Sequence, residues 1–369
     1  MGKEKRLLII STGGTIAQQR DVITGASVDV GTAKSDDFAD LLKNELSEFG
    51  FTAKAETILN KDSSNIVPED WVKIIDTIVE NYDKYTSFLV THGTNTLGYT
   101  SAALSFALGN LGKRVVLTGS QVPLFTSGKH TSGSDALLNL QNAARVAMTS
   151  EKELVGVMVV FGSKIITGTR VKKCTEFDYD GFESYSISQP IGRVGNTIRF
   201  DNVGWEQHMK WYKLRAKTAE QLQIENNFNT NIASLTEFPG MSPKIFETLV
   251  DDAKIEGMIL RAVGAGDPNI APINEINDYS NLRGSFELLK SRKIPIVVTT
   301  QAARGIASMD MSDNGTTACN LLGAIPAFDM SIEAITVKLA WLLGRNMKYE
   351  HIRTGMLESI KGEIVVSNQ

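Results

Sequence analysis

Three short segments place hydroxyl and amino side chains directly behind apolar runs or next to glycines. "STGGTIA" (residues 11–17) follows "LLII", "THGTNT" (91–96) follows "SFLV", and "GTRVKK" (168–173) ends in two adjacent lysines. Nucleophilic catalysis uses an activated nucleophile, a base, and N–H donors for the charge that develops on oxygen. A threonine hydroxyl can act as the nucleophile, and a glycine turn can expose backbone N–H groups. A lysine that burial or a second cation keeps partly neutral can act as the base.

Each of these segments also has an ordinary structural explanation. "TGGT" is common where a strand passes into a loop, Thr91 and Thr96 can bond to nearby backbone groups, and His92 can pack against a sheet. Adjacent lysines are usually solvated. A nucleotide-binding loop is disfavoured, because neither G-x-x-x-x-G-K-[ST] nor G-x-G-x-x-G is present. No single segment therefore identifies the chemistry.

The apolar runs themselves predict the elements that position these side chains. Continuous Val, Ile and Leu runs begin near residues 7, 88, 115, 155, 258 and 296, and runs of this kind suit strands that are covered on both faces. Helical patterns alternate with them, for example "PEDWVKIIDTIVENY" with Pro68 near its start. The sequence therefore predicts an α/β fold with mostly parallel sheets, in which ligands bind beyond the carboxyl ends of the strands.

A polar stretch divides the chain into two parts. We expect a larger N-terminal catalytic domain over residues 1–195, a connecting segment with its own hairpin and helix over 196–230, and a smaller α/β domain over 231–369. The last long helix is predicted to begin at Ser331, a favourable N-cap, and to use Gly344 as its C-cap.

Composition excludes several classes of protein. The formal net charge is −4, which argues against a nucleic-acid partner held by counterion release. The two cysteines, Cys174 and Cys319, lie far apart, and the four histidines are scattered, so neither a disulfide framework nor a metal site is expected. No apolar segment approaches the length of a membrane span or a signal-peptide core. A cytoplasmic location is therefore the default.

Taken together and in their order, the motifs resemble the bacterial-type L-asparaginase/glutaminase family, in particular its cytoplasmic type I branch with archaeal members. The matching stretches are "TGGTIA", "DSSNIVPEDW", "VTHGTNTLGYTSAALSF", "VVLTGSQVP", "SGSDALLNLQNA", "GTRVKKC" and "AIPAFDMSIEAITVKLAWLLG". They extend over roughly residues 6 to 365, interrupted by the polar stretch.

The resemblance implies a threonine-dependent amidohydrolase that hydrolyses the side-chain amide of L-asparagine and needs no metal or organic cofactor. Thr15 is similar to the family's nucleophile, and Thr94 with Lys173 to its second catalytic group, in which the lysine draws a proton through the Thr94 hydroxyl. The predicted substrate-binding residues are Ser63, Ser64, Asn95, Gly14 and Gly93. Lys172 is expected to keep Lys173 partly neutral, and the turns at Gly13–Gly14 and Gly93 to supply N–H donors.

Two positions depart from the family pattern. The family has "HGTDT" where this chain has "HGTNT", so Asn95 replaces an aspartate that is expected to bind the substrate's α-ammonium. Asn95 brings no charge to that contact, and it also removes a negative neighbour from Lys173. Three explanations stay open: a substitution that traps a ligand, a substrate without a free α-ammonium or one bound through another acid, and loss of activity. The lid segment 18–29 lacks the family's tyrosine, and either Thr24 or Ser27 could replace it.

The main alternative is the asparaginase-like subunit of the archaeal glutamyl-tRNA amidotransferase, which shares these motifs. That subunit normally carries a further N-terminal domain, whereas here the first motif begins at Ser11. A binding protein without catalysis is a lesser alternative. The resemblance also implies a homodimer or homotetramer. Gln301 and Arg304 are candidate ligand or allosteric contacts, with ordinary surface polar residues as the alternative, and charge and composition predict no nucleic-acid or membrane partner.

Overall fold

The computed structural model describes residues 5–17, 19–20, 27–28, 51–126, 129–151, 153–216, 222–271 and 279–366. The chain divides into two compact units, Met1–Ser184 with Ser188–Asn226 and Tyr185–Ile187 with Asn227–Gln369. Residues 196–226 of the segment predicted as a connection group with the first unit and contain the strand Ile198–Phe200 and the helix Asn202–Ala216, whereas residues 227–230 group with the second unit.

The first unit is built from strands and helices that alternate along the chain. Its strands are β1 (Arg6–Gly13), β2 (Gln19–Arg20), β3 (Ser27–Val28), β4 (Thr52–Lys61), β5 (Ser87–Thr91), β6 (Leu108–Gly109), β7 (Arg114–Thr118), β8 (Phe125–Thr126), β9 (Lys129–His130), β10 (Gly156–Phe161), β11 (Lys164–Thr167), β12 (Val171–Lys173), β13 (Phe182–Ser184), β14 (Gly192–Val194), β15 (Ile198–Phe200) and β16 (Gln223–Ile224). Its helices are α1 (Pro68–Glu80), α2 (Leu97–Ala107), α3 (Ala136–Ala147) and α4 (Asn202–Ala216), and single 3-10 turns cover Thr15–Ala17 and Ser63–Asn65.

An eight-stranded sheet forms the centre of this unit, with the order β15-β14-β11-β10-β7-β5-β1-β4. The pairs from β4 to β10 are parallel, and those from β10 to β15 are antiparallel. Every residue of β5 and β10, and every residue of β1 after Arg6, is buried. The continuous apolar runs therefore are strands covered on both faces, as predicted.

The second unit has a four-stranded parallel sheet in the order β17-β18-β19-β20. Its elements are β17 (Ile232–Thr236), α5 (Lys244–Asp251), β18 (Gly257–Ala262), α6 (Arg283–Ser291), β19 (Ile296–Thr300), α7 (Asp313–Asn320), β20 (Ile325–Pro326), α8 (Ile332–Gly344) and α9 (Tyr349–Leu357). A buried ion pair lies in this unit, with Lys338 Nζ 2.7 Å from Glu363 Oε1 and both side chains fully enclosed. The prediction of two α/β units with mostly parallel sheets is confirmed.

One helix end differs from the sequence-based expectation. Ser331 is the N-cap of α8, and its hydroxyl accepts the N–H of Ala334 at 3.2 Å, as predicted. Gly344 is not the C-cap, because the helix continues through it and Arg345 takes that position. A Cβ at Gly344 would lie 2.3 Å from the carbonyl oxygen of Asn227. The glycine is required by this close approach of the backbone.

Among the described residues, no helix combines the length and the apolar character that crossing a bilayer would require.

Candidate active site

The turn after β1 is formed by Gly13 and Gly14, as the sequence predicts. Their φ angles are +93° and +77°, which side chains with a Cβ rarely adopt. The N–H of Gly14 donates to the carbonyl oxygen of Lys61 at 2.9 Å, so it is not free to bind an oxyanion, and the expectation of an N–H donor at this residue is wrong. Thr15 follows at once, begins a 3-10 turn, and is part-buried.

The second glycine turn touches the first. A Cβ on Gly14 would lie only 2.4 Å from both the Cα and the nitrogen of Gly93, so the two backbones are in direct contact. A Cβ on Gly93 would in turn lie 2.6 Å from Ser63 Oγ. The parallel pairing of β1 with β5 brings their carboxyl ends to one edge of the sheet. Three of the predicted segments therefore meet at this edge.

Lys173 reaches the same place from β12. Its Nζ donates to Thr94 Oγ1 at 2.8 Å, and Thr94 is buried. Burial lowers the pKa of Lys173, although the carboxylates of Glu176 and Asp62 raise it. Lys172 is the preceding residue of the same strand, where successive side chains point to opposite faces. Desolvation, not the neighbouring lysine, therefore favours the neutral amine.

Asn95 connects this lysine with the serine loop. Its Oδ1 accepts from Lys173 Nζ at 3.0 Å, and its Nδ2 donates to Ser64 Oγ at 3.1 Å. Its backbone N–H donates to Ser63 Oγ at 3.2 Å. The asparagine amide has both an acceptor and a donor, so it can bridge an ammonium and a hydroxyl without carrying a charge. Asn95 is exposed, whereas Ser63 is almost fully buried.

The serine loop is itself firmly anchored. Lys61 Nζ donates to both carboxylate oxygens of Asp70, at 2.9 and 2.7 Å, and this joins the end of β4 to the first turn of α1. The Ser64 N–H donates to Asp62 Oδ1 at 2.8 Å, and the Thr96 hydroxyl donates to the Ser63 carbonyl oxygen at 2.7 Å. The two serines are thus fixed before any ligand arrives.

Gln121 contacts Thr94, a contact that the sequence did not predict. Its Oε1 lies 3.5 Å from the Thr94 hydroxyl, and its Nε2 donates to the carbonyl oxygens of Thr175 and Asp178, both at 3.1 Å, in the loop that follows Lys173. It therefore ties the position of Thr94 to that of the lysine strand. Its place directly after β7, in "TGSQVP", was the available signal, since polar residues behind adjacent parallel strands share one edge.

Asp135 holds the backbone of Gln121 in place through hydrogen bonds. Its carboxylate accepts the backbone N–H groups of Gln121 and Val122 and the side-chain amide of Asn139. Burial raises the pKa of Asp135, and these hydrogen bonds act against that rise. The spacing of four residues between Asp135 and Asn139 in "SDALLN" predicts such a contact on one helical face.

His92 is held inside the structure by hydrogen bonds on both ring nitrogens. It is fully buried, its Nδ1 donates to the Gly93 carbonyl oxygen at 2.7 Å, and its Nε2 accepts from the Thr100 hydroxyl at 2.9 Å. Trp71 Nε1 donates to the same hydroxyl at 3.1 Å. Burial lowers the pKa of His92 to about 4, so the ring is neutral at physiological pH.

Other predicted positions lie elsewhere or outside the described residues. Thr24 falls outside the described residues, and Ser27 belongs to the short strand β3, whose side chains are likewise not described. In the second unit, Gln301 Nε2 donates to the carbonyl oxygens of Glu237 and Arg261, at 2.7 and 2.9 Å, which joins adjacent strand ends. Within the described part of the chain, no group of three or more His, Cys, Asp or Glu residues could hold a metal ion.

Comparison with known proteins places this geometry in context. Residues 6–205 match the family model described as Asparaginase, N-terminal, and residues 231–356 match the one described as Glutaminase/Asparaginase C-terminal domain. The L-asparaginase of Thermococcus kodakarensis is 33% identical over 364 residues, which cover 98% of this chain and 100% of that protein. L-asparaginase 1 of Escherichia coli K12 is 30% identical over 368 residues, with 98% of each chain covered.

A protein of different activity is similar to almost the same extent. One of the subunits of the glutamyl-tRNA(Gln) amidotransferase of Pyrococcus abyssi is 31% identical over 368 residues, which cover 96% of this chain and 76% of that protein. Among solved structures, the thermostable L-asparaginase from Thermococcus kodakarensis superposes with a TM-score of 0.81 at 32% identity. The match covers 98% of this chain and 100% of the chain of that structure. L-asparaginase I from Vibrio cholerae has a TM-score of 0.78 at 27% identity and the same coverage.

Proposed function

The chain belongs to the asparaginase family, and from that membership we propose that it hydrolyses the side-chain amide of L-asparagine to L-aspartate and ammonia through a threonine acyl-enzyme. Relatives named L-asparaginase match nearly its full length. One observation supports the chemistry above all others: Lys173 Nζ lies 2.8 Å from the hydroxyl of buried Thr94, at the edge where the Gly14 and Gly93 turns touch.

In the proposed mechanism, Lys173 acts as a base across Thr94. A neutral lysine accepts the Thr94 hydroxyl proton, and Thr94 accepts the proton of Thr15 as the Thr15 oxygen attacks the carboxamide carbon. The proton then passes back to the departing nitrogen, which leaves as ammonia. Water hydrolyses the resulting ester by the same route and releases aspartate. Burial of Lys173 favours this cycle, because it lowers the free-energy penalty of the neutral amine.

The oxyanion of each tetrahedral intermediate needs N–H donors. The N–H of Gly14 already binds the Lys61 carbonyl oxygen, so we assign this role to the backbone of the Gly93 turn. Gly14 contributes through its small size instead, since it allows the two turns to come into contact.

We assign the substrate's α-carboxylate to Ser63 and Ser64. Both hydroxyl oxygens accept an N–H from Asn95, one from its backbone and one from its side chain. Each hydroxyl proton is then directed away from Asn95 and can be donated to a carboxylate. Two hydroxyl donors held on a fixed turn provide orientation at low entropic cost.

An ammonia-release assay on the purified chain tests this function. L-Asn, L-Gln, D-Asn and succinamic acid, which lacks the α-amino group, are compared for three proteins: the wild type, Thr15→Ala, and Thr57→Ala. Thr57 is an exposed residue of β4 and provides a matched control. We expect L-Asn hydrolysis, a loss of about ten thousandfold or more in kcat for Thr15→Ala, and no change for Thr57→Ala. Retention of activity by Thr15→Ala would refute the nucleophile assignment.

The same assay addresses the amidotransferase alternative. The name of that relative includes a tRNA(Gln), so hydrolysis of free L-Asn by this chain alone, without any tRNA, favours the asparaginase. Ammonia release that requires added tRNA and a second protein would favour the amidotransferase. We further propose that the protein acts in the cytoplasm as a homodimer or homotetramer, which light scattering on the purified chain would check.

A further inference from the structure

The second unit contains a cavity that the proposed reaction does not use. Its volume is about 950 Å³, which lies within the range of small-molecule sites. It is formed where α5 and α6 return the chain to the amino edges of β18 and β19, and where the turn between α8 and α9 passes close by. We call it the basic cavity.

Cations dominate the rim of the basic cavity. Its lining includes Lys254, Lys290, Arg292, Lys293 and Lys348, against the carboxylates of Glu256 and Glu350. This excess of positive charge occurs in a chain whose formal net charge is −4.

Some of these cations are already bound. Lys290 Nζ donates to the Leu321 carbonyl oxygen at 2.7 Å, and Arg292 forms an ion pair with Asp251 at 3.3 Å. The remaining three, Lys254, Lys293 and Lys348, are exposed and are the ones with which a ligand would pair.

Two of these lysines occupy equivalent positions in consecutive β-α-β repeats. Lys254 ends the turn after α5 with φ +52°, and Lys293 ends the turn after α6 with φ +56°. Glycine or asparagine is the usual residue in this left-handed position after a helix. A buried isoleucine follows each lysine, and the N–H of each isoleucine closes the preceding helix, Ile255 on Leu249 and Ile294 on Leu289.

This repeated Lys–Ile pair gives the cavity two different surfaces. Each lysine projects into the solvent at the rim, and each isoleucine belongs to an apolar floor. The floor also includes Val250, Leu343 and Ile352. These five apolar residues are 4 to 8% exposed, whereas apolar strand residues such as Met258 in β18 and Val297 in β19 are 0% exposed.

We propose that the basic cavity binds a multiply charged organic phosphate of the nucleotide class. The phosphates would contact Lys254, Lys293 and Lys348, and the apolar or planar part of the ligand would lie on the floor. An inorganic anion would contact only the lysines of the rim, and an uncharged nucleoside would contact only the apolar floor. A ligand that uses both surfaces must therefore carry both phosphates and an apolar or planar group.

Isothermal titration calorimetry of the full chain tests this proposal with three probes: ATP without metal, inorganic tripolyphosphate, and adenosine. We expect ATP to bind one site per chain, and tripolyphosphate and adenosine to bind at least about tenfold more weakly. The proposal is overturned if ATP does not bind, or if tripolyphosphate binds as tightly as ATP.

Charge-removing variants locate the site. Lys254→Asn and Lys293→Asn remove two cations and introduce a residue that tolerates the left-handed conformation of these positions, and Lys348→Gln removes the third cation. The combined variant should weaken ATP binding by about tenfold or more, because each lost ion pair contributes a modest factor. The matched control removes three exposed lysines outside the cavity, with Lys54→Gln, Lys84→Gln and Lys244→Gln, and should bind ATP as the wild type does. Equal affinities of the two combined variants would overturn the proposal.

Hydrogen exchange of the wild type provides a readout that does not depend on any variant. ATP should slow exchange in residues 250–256, 290–295 and 347–352. Slowing only in other parts of the chain would place the nucleotide elsewhere and refute the assignment. Neither experiment involves the proposed catalytic residues, so its outcome is separate from that of the amidase proposal.

Discussion

Replacing Asn95 with aspartate introduces a carboxylate directly beside the proposed base. In the wild type the Asn95 amide oxygen accepts from Lys173 Nζ at 3.0 Å, so the new charge would lie at about the same separation. The substitution changes few atoms and keeps an oxygen in contact with the lysine. Its main effect is therefore electrostatic: it should raise the pKa of Lys173 and reduce the fraction of neutral amine at a given pH.

The size of the effect follows from this distance. Two unit charges 3.0 Å apart attract by about 1.4 kcal/mol at the dielectric constant of water and by about 5.5 kcal/mol at an effective value of 20. Lys173 is only part-buried and Asn95 is exposed, so solvent screens the pair and values near the lower limit apply. About 1.4 to 2 kcal/mol corresponds to roughly tenfold to thirtyfold less neutral lysine.

The assay separates this effect from substrate binding. With succinamic acid, which has no α-ammonium, kcat/KM of Asn95→Asp at neutral pH should fall about tenfold to thirtyfold, and the rising limb of its pH profile should move to higher pH. With L-Asn, a charge-assisted contact between the new carboxylate and the α-ammonium should contribute about 1.5 to 3 kcal/mol and offset that loss. The two substrates should therefore respond differently.

A matched variant provides the opposite perturbation. The carboxylate of Glu176 raises the pKa of Lys173 in the wild type, so Glu176→Gln should move the same limb slightly to lower pH. Unfolding curves of all three proteins confirm that the fold is intact. If the limb stays in place in Asn95→Asp with both substrates, Lys173 is not the group that titrates, and the assignment of the base is wrong.

Three further outcomes follow from the structure. Gly14→Ala would place a Cβ at an unfavourable φ of +77° and 2.4 Å from the Gly93 turn, so it should abolish activity and lower the free energy of unfolding by several kcal/mol. Gly112→Ala is the control: its Cβ would lie no closer than 3.6 Å to another atom, so activity and stability should stay unchanged. Lys338→Met removes the cation that pairs with the buried carboxylate of Glu363, although the N–H groups of Ile360 and Lys361 still donate to that carboxylate. The loss should cost about 3 to 5 kcal/mol in the free energy of unfolding by urea. Converting Glu363 to glutamine as well should restore part of it, and a single variant as stable as the wild type would contradict this account. Burial lowers the pKa of His92 and of His208 to about 4, so between about pH 6.5 and pH 4 the unfolded chain binds protons that the folded chain does not. The free energy of unfolding should therefore fall as the pH decreases through this window, by roughly 3 kcal/mol for each histidine. A flat pH dependence over that window would show that these rings are not buried.

Local sequence determined the strands and the glycine turns. Short unbroken runs of Val, Ile and Leu favour strands covered on both faces, and two successive glycines behind such a run permit the positive φ angles that the turn requires. The order of the motifs was enough to indicate the family, and Ser331 was recognisable as a helix start, because capping depends on a few adjacent residues.

Tertiary structure alone decided which atoms meet. The sequence predicted an N–H donor at Gly14, but the Lys61 carbonyl oxygen at the end of the parallel strand β4 accepts this N–H. The sequence predicted that Lys172 lowers the pKa of Lys173, but burial lowers it instead. The contact of Gln121 with Thr175 forms only because the fold brings the end of β7 next to the loop after Lys173. Likewise, two lysines far apart in sequence form one basic rim because consecutive β-α-β repeats return to the same edge of the sheet. Sequence specifies local conformation through short-range sterics and capping, whereas burial, charge and hydrogen-bond partners depend on segments that only the folded chain brings within a few ångströms of one another.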